Sequence, residues 1–219
     1  MRKLYPIFLD MEGIKAVVIG GGPVAARKAA ALAASGASVT VISPELDPRT
    51  AALVQNGGVT HINRCYMDGD LAEASLAVAA TDDPETNMKV ASDAKARGIL
   101  INCVRPPVAG NFIVPSSIRR GGLTVAVSTG GGCPALSKML RLELETMLGR
   151  EYEPFLEFLD NARTALKLRL SDEGSRAQAL TALVDSDLLE LFRTGSREEA
   201  AERGLAVLEK LISRLEKRA

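Results

Sequence analysis

A short apolar run, Ala16-Val17-Val18-Ile19, passes directly into Gly20-Gly21-Gly22-Pro23-Val24-Ala25, and a helical pattern follows. The run reads as a buried parallel strand, and the turn after it spells Gly-x-Gly-x-x-Ala through Gly20, Gly22 and Ala25. Each position has a physical job in such a turn. Gly20 permits the tight reversal, Gly22 lets the backbone approach a pyrophosphate where a Cβ would block it, and Ala25 lets the helix pack close to the strand. The N–H groups at the helix start then point at the phosphates. The competing reading is a glycine-rich strand-to-helix turn that binds nothing. The strand before and the helix after favour the dinucleotide site.

The pattern around this turn repeats. Strand-like runs fall at 15–19, 38–43, 60–64, 76–80 and 99–104, with helical segments at 24–34, 48–55 and 84–96 between them. Asp83 followed by Pro84 is an N-cap with proline in the first helical position. Alternating Val/Ile-rich strands and helices imply a parallel sheet covered on both faces, with right-handed connections. The fold class is therefore α/β, opening with a Rossmann-like domain over residues 1–111.

Residues 112–149 read differently, as a small α+β region. Phe112-Ile113-Val114 and 123–127 look like strands joined by a basic turn, Arg119-Arg120-Gly121-Gly122. An amphipathic helix follows from Pro134 to about Leu148. From 150 to 219 the chain reads as a helical domain. Phe155, Phe158, Leu159, Ala162, Ala165 and Leu166 share one helical face, and Ser196 with Glu199 forms a capping box. Leu205, Leu208, Ile212 and Leu215 make a narrow stripe that suits either internal packing or a subunit interface.

Composition removes several function classes. Lys+Arg and Asp+Glu balance at 27 each, so no basic field recruits nucleic acid or an anionic membrane. The apolar run before Asp10 is too short for a signal-peptide core or a membrane span. Cys65, Cys103 and Cys133 lack metal-ligand spacing and suit a reducing cytoplasm. His61 is the one histidine, which argues against a His-based metal site or catalytic triad and leaves it as a strand residue.

Ligands of an open α/β sheet bind beyond the carboxyl ends of the strands. Those ends supply the candidate site: Gly20, Gly22, Pro23 and Val24 after the first strand, Ser43, Pro44 and Glu45 after the second, and Thr81, Asp82 and Asp83 after the fourth. Asn102 and Arg105 follow the fifth. Ser43 and Glu45 stand where the adenosine ribose is read, with no arginine beside them for a 2′-phosphate, so NAD is expected over NADP. Asp83 reads as a helix cap. Asp82 is open to two readings, a carboxylate lining the cleft or a solvated loop residue. Ser128–Gly132 leads into a helix start and is either an anion-binding nest or a turn required by the reversal.

Taken together, Tyr5-Pro6-Ile7-Phe8, the glycine turn with Arg27-Lys28, Ala79-Ala80-Thr81-Asp82-Asp83, Phe112-Ile113-Val114-Pro115 and Val125-Ala126-Val127-Ser128-Thr129-Gly130-Gly131 resemble the precorrin-2 dehydrogenase / sirohydrochlorin ferrochelatase family, the N-terminal module of siroheme synthase. The order and spacing of these segments hold over roughly residues 4–148. The resemblance implies a cytoplasmic homodimer, with 112–149 as the dimerisation region. It implies oxidation of the tetrapyrrole precorrin-2 to sirohydrochlorin with NAD, followed in some members by Fe²⁺ insertion. It also places Ser128, Thr129 and Gly130 beside the substrate, with Asn102 and Arg105 near them.

The chain departs from that family at one telling place. Members carry an Asp in the loop after the fifth strand, the usual candidate for a shared general base. Here the segment is Asn102-Cys103-Val104-Arg105-Pro106-Pro107, and Arg105 occupies the position. An arginine stays protonated and cannot serve as a base. Three readings follow. Arg105 binds a substrate carboxylate while Asp82 or water takes the proton; or the protein binds and delivers a tetrapyrrole with little catalysis; or the fold serves another NAD-linked reaction or redox sensing. Metal insertion is the activity most opposed by the added positive charge.

Overall fold

The computed structural model describes residues 3–216. Strands β1 (Lys15–Ile19), β2 (Ser38–Ile42), β3 (Thr60–Ile62), β4 (Leu76–Ala79) and β5 (Leu100–Cys103) form one parallel sheet in the order β3-β2-β1-β4-β5. Helices α1 (Pro23–Ala33), α2 (Pro48–Gln55) and α3 (Pro84–Ala96) complete the alternation. Side chains alternate across a strand, so each strand feeds two cores. Ala16 and Val18 of β1 pack with Ala25 and Ala29 of α1 on one face. Val17 and Ile19 pack with Val90, Ala91 and Ala94 of α3 on the other. Burial on both faces is why the strands read as continuous apolar runs.

Four expected strands ran too far. Ser43, Arg64, Ala80 and Val104 are loop residues. Ladder bonds still reach three of them: Ser43 N donates to Ile62 O at 3.2 Å, Ala80 N to Ile19 O at 2.8 Å and Val104 N to Ala79 O at 2.9 Å.

The segment Phe112-Ile113-Val114 is not a strand, which corrects the expected hairpin. Asn111 and Phe112 both donate their amides to Ile101 O, at 2.9 and 3.4 Å, and Phe112 O accepts Asn102 Nδ2 at 3.2 Å. The chain here is held against the end of β5. The hairpin is instead β6 (Ser116–Arg120) paired antiparallel with β7 (Leu123–Val127). Arg119 and Arg120 belong to the strand, and Gly121-Gly122 alone makes the turn, with Gly121 at φ +55°. Arg120 Nε donates to Leu148 O at 2.9 Å.

The chain divides into two compact units between Val114 and Pro115. The second holds the β6–β7 hairpin with α4 (Pro134–Met147), α5 (Tyr152–Arg169), α6 (Glu173–Val184), α7 (Leu188–Thr194) and α8 (Arg197–Glu216). Its core joins Phe155, Phe158, Ala162 and Leu166 of α5 to Phe192 of α7 and to Leu208, Ile212 and Leu215 of α8, with Leu159 and Ala165 partly buried beside them. The stripe on α8 is therefore internal packing, but Leu205 does not belong to it and is 55% exposed. Gly204 takes its place against the Phe158 ring. Glu199 N donates to Ser196 Oγ at 3.0 Å, as the capping box requires. Among the described residues, no helix is long and apolar enough to cross a membrane.

A Cβ on Gly204 would lie 2.6 Å from Phe158 Cε2 and Cζ. Alanine normally favours a helix over glycine by about 1 kcal/mol, yet overpacking typically costs about 1–3 kcal/mol. Gly204→Ala should lower Tm in calorimetry; an unchanged or raised Tm contradicts this packing.

Candidate functional site

The loops beyond β1, β2, β3 and β4 enclose a cleft of about 660 Å³. It lies where strand order reverses, with β1 flanked by β2 and β4, the place at which doubly wound sheets bind ligands. Gly20, Gly22, Pro23, Val24, Ser43, Pro44, Glu45, Thr81 and Asp82 all line it.

The glycine turn is built by close backbone approach. Gly20 has φ +116°, and a Cβ there would sit 2.5 Å from Ala80 O. A Cβ on Gly21 would sit 1.9 Å from Glu45 O and 2.8 Å from Ser43 Oγ. The Gly21 carbonyl accepts Asp47 N at 2.8 Å and Thr50 Oγ1 at 3.0 Å, and Thr50 is fully buried. The turn is thus bonded to the β2–α2 loop. Gly22 differs: nothing lies within 4 Å of its Cβ position. It is the N-cap of α1, no side chain caps that helix, and no acidic residue stands in its first turn. An uncapped helix start facing open space is a site for an anion. These residues fit the pyrophosphate of a dinucleotide.

At the end of β2, Ser43 Oγ donates to Glu45 O at 2.7 Å. Its hydroxyl proton is engaged within the loop, and its lone pairs remain for a ribose hydroxyl. His61 is a β3 residue whose Nε2 lies 2.9 Å from Ser43 O, a carbonyl that only an N–H can satisfy. Beyond β4, Asp83 accepts Glu85 N at 3.2 Å, Thr86 N at 3.0 Å and Thr86 Oγ1 at 2.5 Å. The Thr86 hydroxyl, then the two amides, hold this carboxylate below its usual range. Asp83 is the cap of α3, while Asp82, exposed like its neighbour, also lines the cleft and caps no helix.

The other candidates stand elsewhere. Asn102 is buried and gives its amide to Phe112 O at 3.2 Å, so it ties β5 to the chain beside it. Arg105 is exposed and does not line the cleft. Ser128, Thr129 and Gly130 belong to the second compact unit, in the loop from β7 to α4. Thr129 Oγ1 lies 3.0 Å from both Cys133 N and Cys133 O, and Ser128 Oγ accepts Gly130 N at 3.1 Å. Both hydroxyls therefore support the turn that starts α4.

Comparison with known proteins finds matches along most of the chain. A family model described as NAD(P)-binding matches residues 7–116, and one described as the central domain of sirohaem biosynthesis proteins matches 120–147. The siroheme synthase of Chromobacterium violaceum is 39% identical over 211 residues, 96% of this chain and 44% of that protein. The siroheme synthase of Methylobacillus flagellatus is 42% identical over 171 residues, 78% of this chain and 37% of that protein. The chain thus spans less than half the length of these relatives. The solved structure of SirC, precorrin-2 dehydrogenase, shares the fold with TM-score 0.78 at 24% identity, covering 94% of this chain and all of that one. The chain belongs to the family whose model is described as NAD(P)-binding, and it is similar to siroheme synthases along part of their length.

For this family member, several cleft residues carried no readable signal in the sequence. Gly21, Cys65, Tyr66 and Thr86 line the cleft alongside the expected residues. Tyr66 OH donates to Asp93 Oδ2 at 2.6 Å, and burial together with that bond raises its phenol well above the ordinary value. Arg64 and Asp70 pin the same loop with two parallel bonds of 2.8 and 2.7 Å. Only Gly21 was open to suspicion, from its place in the glycine run.

Two outcomes test this geometry. Gly21→Ala must push the β2–α2 loop away from the turn, so NAD affinity by calorimetry should fall about tenfold or more; unchanged affinity contradicts the close approach. The Arg64 hydrogen bond, as the largest cause, depresses the Asp70 pKa from 3.8. A depressed carboxylate stabilises the fold above its ordinary pKa and loses that contribution as pH falls through the depressed value. Asp70→Asn should therefore be less stable than wild type near neutrality, with the gap closing as pH drops below 3.8. A gap independent of pH contradicts the ion pair.

Proposed function

We propose that this chain is an NAD-dependent precorrin-2 dehydrogenase of siroheme biosynthesis, working as a cytoplasmic homodimer. The observation that carries the reading is the uncapped start of α1 beside Gly22, opening into a cleft in a chain of this family. NAD supplies the hydride acceptor there. The amides at the start of α1 hold the pyrophosphate, and the Ser43–Glu45 loop meets the adenosine ribose. The Glu45 carboxylate disfavours a 2′-phosphate and selects NAD over NADP.

Oxidation of precorrin-2 to sirohydrochlorin removes two hydrogens. One leaves as hydride to give NADH, and the other leaves as a proton. The exposed Asp82 carboxylate at the rim of the cleft, or water, takes that proton. Arg105 stands where a base would otherwise stand, is permanently charged, and pairs with a carboxylate of the substrate. Asn102 supports that loop. The positive charge of Arg105 opposes Fe²⁺ entry, so metal insertion is weak or belongs to another protein. On α4, Leu136, Met139, Leu142 and Met147 are exposed apolar residues, which supports dimerisation through 112–149.

Anaerobic incubation with precorrin-2 and NAD should yield the sirohydrochlorin absorption spectrum together with one NADH per product. Tight binding of the tetrapyrrole without NADH formation would overturn the dehydrogenase reading. Arg105→Ala should raise KM for precorrin-2 about tenfold and leave kcat within about threefold. Collapse of kcat at saturating substrate would contradict the carboxylate-binding role.

A further inference from the structure

Asn87 sits in the first turns of α3 and is completely buried. A buried polar side chain must find partners, and this one finds four. Its Oδ1 accepts Thr81 N at 3.1 Å and Thr81 Oγ1 at 2.9 Å. Its Nδ2 donates to Thr81 O at 2.9 Å and to Arg105 O at 3.1 Å. An amide offers two donor protons and two acceptor lone pairs, and all are engaged here, with the Thr81 hydroxyl sharing its one proton between Asn87 Oδ1 and Asp83 O at 2.9 Å each. All four bonds go to two loops: the one after β4, which lines the cofactor cleft, and the one after β5, which carries Arg105.

We propose that Asn87 is a positioning residue that sets the Arg105 loop against the Thr81–Asp82 rim of the cofactor cleft. The inference rests on the dehydrogenase reading, because only there do both loops serve one reaction. The bond to Arg105 runs to its main-chain carbonyl, so it fixes the base of the arginine side chain and leaves the guanidinium free for a substrate carboxylate. Asp at 87 would offer no donor and Ser only one, and a shorter side chain would leave Thr81 N without its partner. A buried amide left unpaired is costly, which is why the arrangement has one stable form.

The substitutions Asn87→Asp and Asn87→Ala test the clamp. Asn87→Asp keeps the bonds from Thr81 N and Thr81 Oγ1, loses the Nδ2 bond to Thr81 O and loses the one side-chain bond to the Arg105 loop. It should raise KM for precorrin-2 about tenfold while NAD affinity changes by no more than about threefold. Asn87→Ala frees both loops and should weaken NAD as well. Because Asn87 acts through Arg105, the effects of Asn87→Asp and Arg105→Ala on KM should be far from additive. Additive effects, or a folded Asn87→Asp with wild-type KM, would overturn the proposal.

A measurement on the unmodified protein decides the same question if the variants fail to fold. Hydrogen exchange with and without NAD should show protection at Thr81 extending to residues 104–110, which lie outside the cleft. Protection confined to the cleft would overturn the clamp. Failure of the dehydrogenase reading is recognised separately, as absence of precorrin-2 turnover by the wild type, while NAD affinity and exchange continue to report on the clamp.

Discussion

The structure depends on backbone packed where no side chain can fit. Gly20 lies under Ala80 O, and Gly21 lies against Glu45 O, each too close to admit a Cβ. These contacts bring the ends of β1, β2 and β4 together, and the Gly21 carbonyl fixes the approach with bonds from Asp47 and Thr50. The start of α1 is then left uncapped and facing the opening. The helix end that stays unsatisfied is the one a ligand phosphate would complete. Stability and binding thus meet in the same few residues, since the tight turn that joins the sheet to its first helix also exposes the anion site.

Around that turn, the work of each carboxyl edge loop is divided. The β2 loop fixes its own shape through Ser43 and keeps Glu45 outward. The β4 loop sets two neighbouring aspartates at the cleft, Asp83 engaged as the cap of α3 by the Thr86 hydroxyl and the Glu85 and Thr86 amides, and Asp82 beside it. The β5 loop carries Arg105, an exposed and permanently charged side chain that cannot serve as a base.

What could be read from the sequence was local. The strand-turn-helix around Gly20, the Asp83-Pro84 helix start and the Ser196–Glu199 capping box each declare themselves within a few residues, and the structure has them all. Ten of the twelve residues expected from strand ends line one cleft, because the end of a parallel strand is a local feature with a fixed place in the sheet, while Asn102 and Arg105 after β5 do not. The misreadings arose from distant partners. Phe112–Val114 is apolar enough for a strand, but the β5 backbone and the Asn102 amide hold it elsewhere. Leu205 fits the spacing of the α8 stripe, yet Phe158 demands a glycine one residue earlier. Asn87 and Tyr66 are ordinary letters in their segments, and only the packing of α3 against the sheet shows what each one holds.

The central claim is that the α1 start at Gly22 receives the phosphates of NAD, and a crystal structure of the chain with NAD bound tests it most directly. Pro23 has no N–H, so the account predicts phosphate oxygens about 2.7–3.2 Å from the amides of Gly22 and Val24, with the adenosine ribose beside Ser43 and Glu45. A dinucleotide bound away from this helix start, or a turn that closes over the opening and leaves it without an anion, would contradict the account.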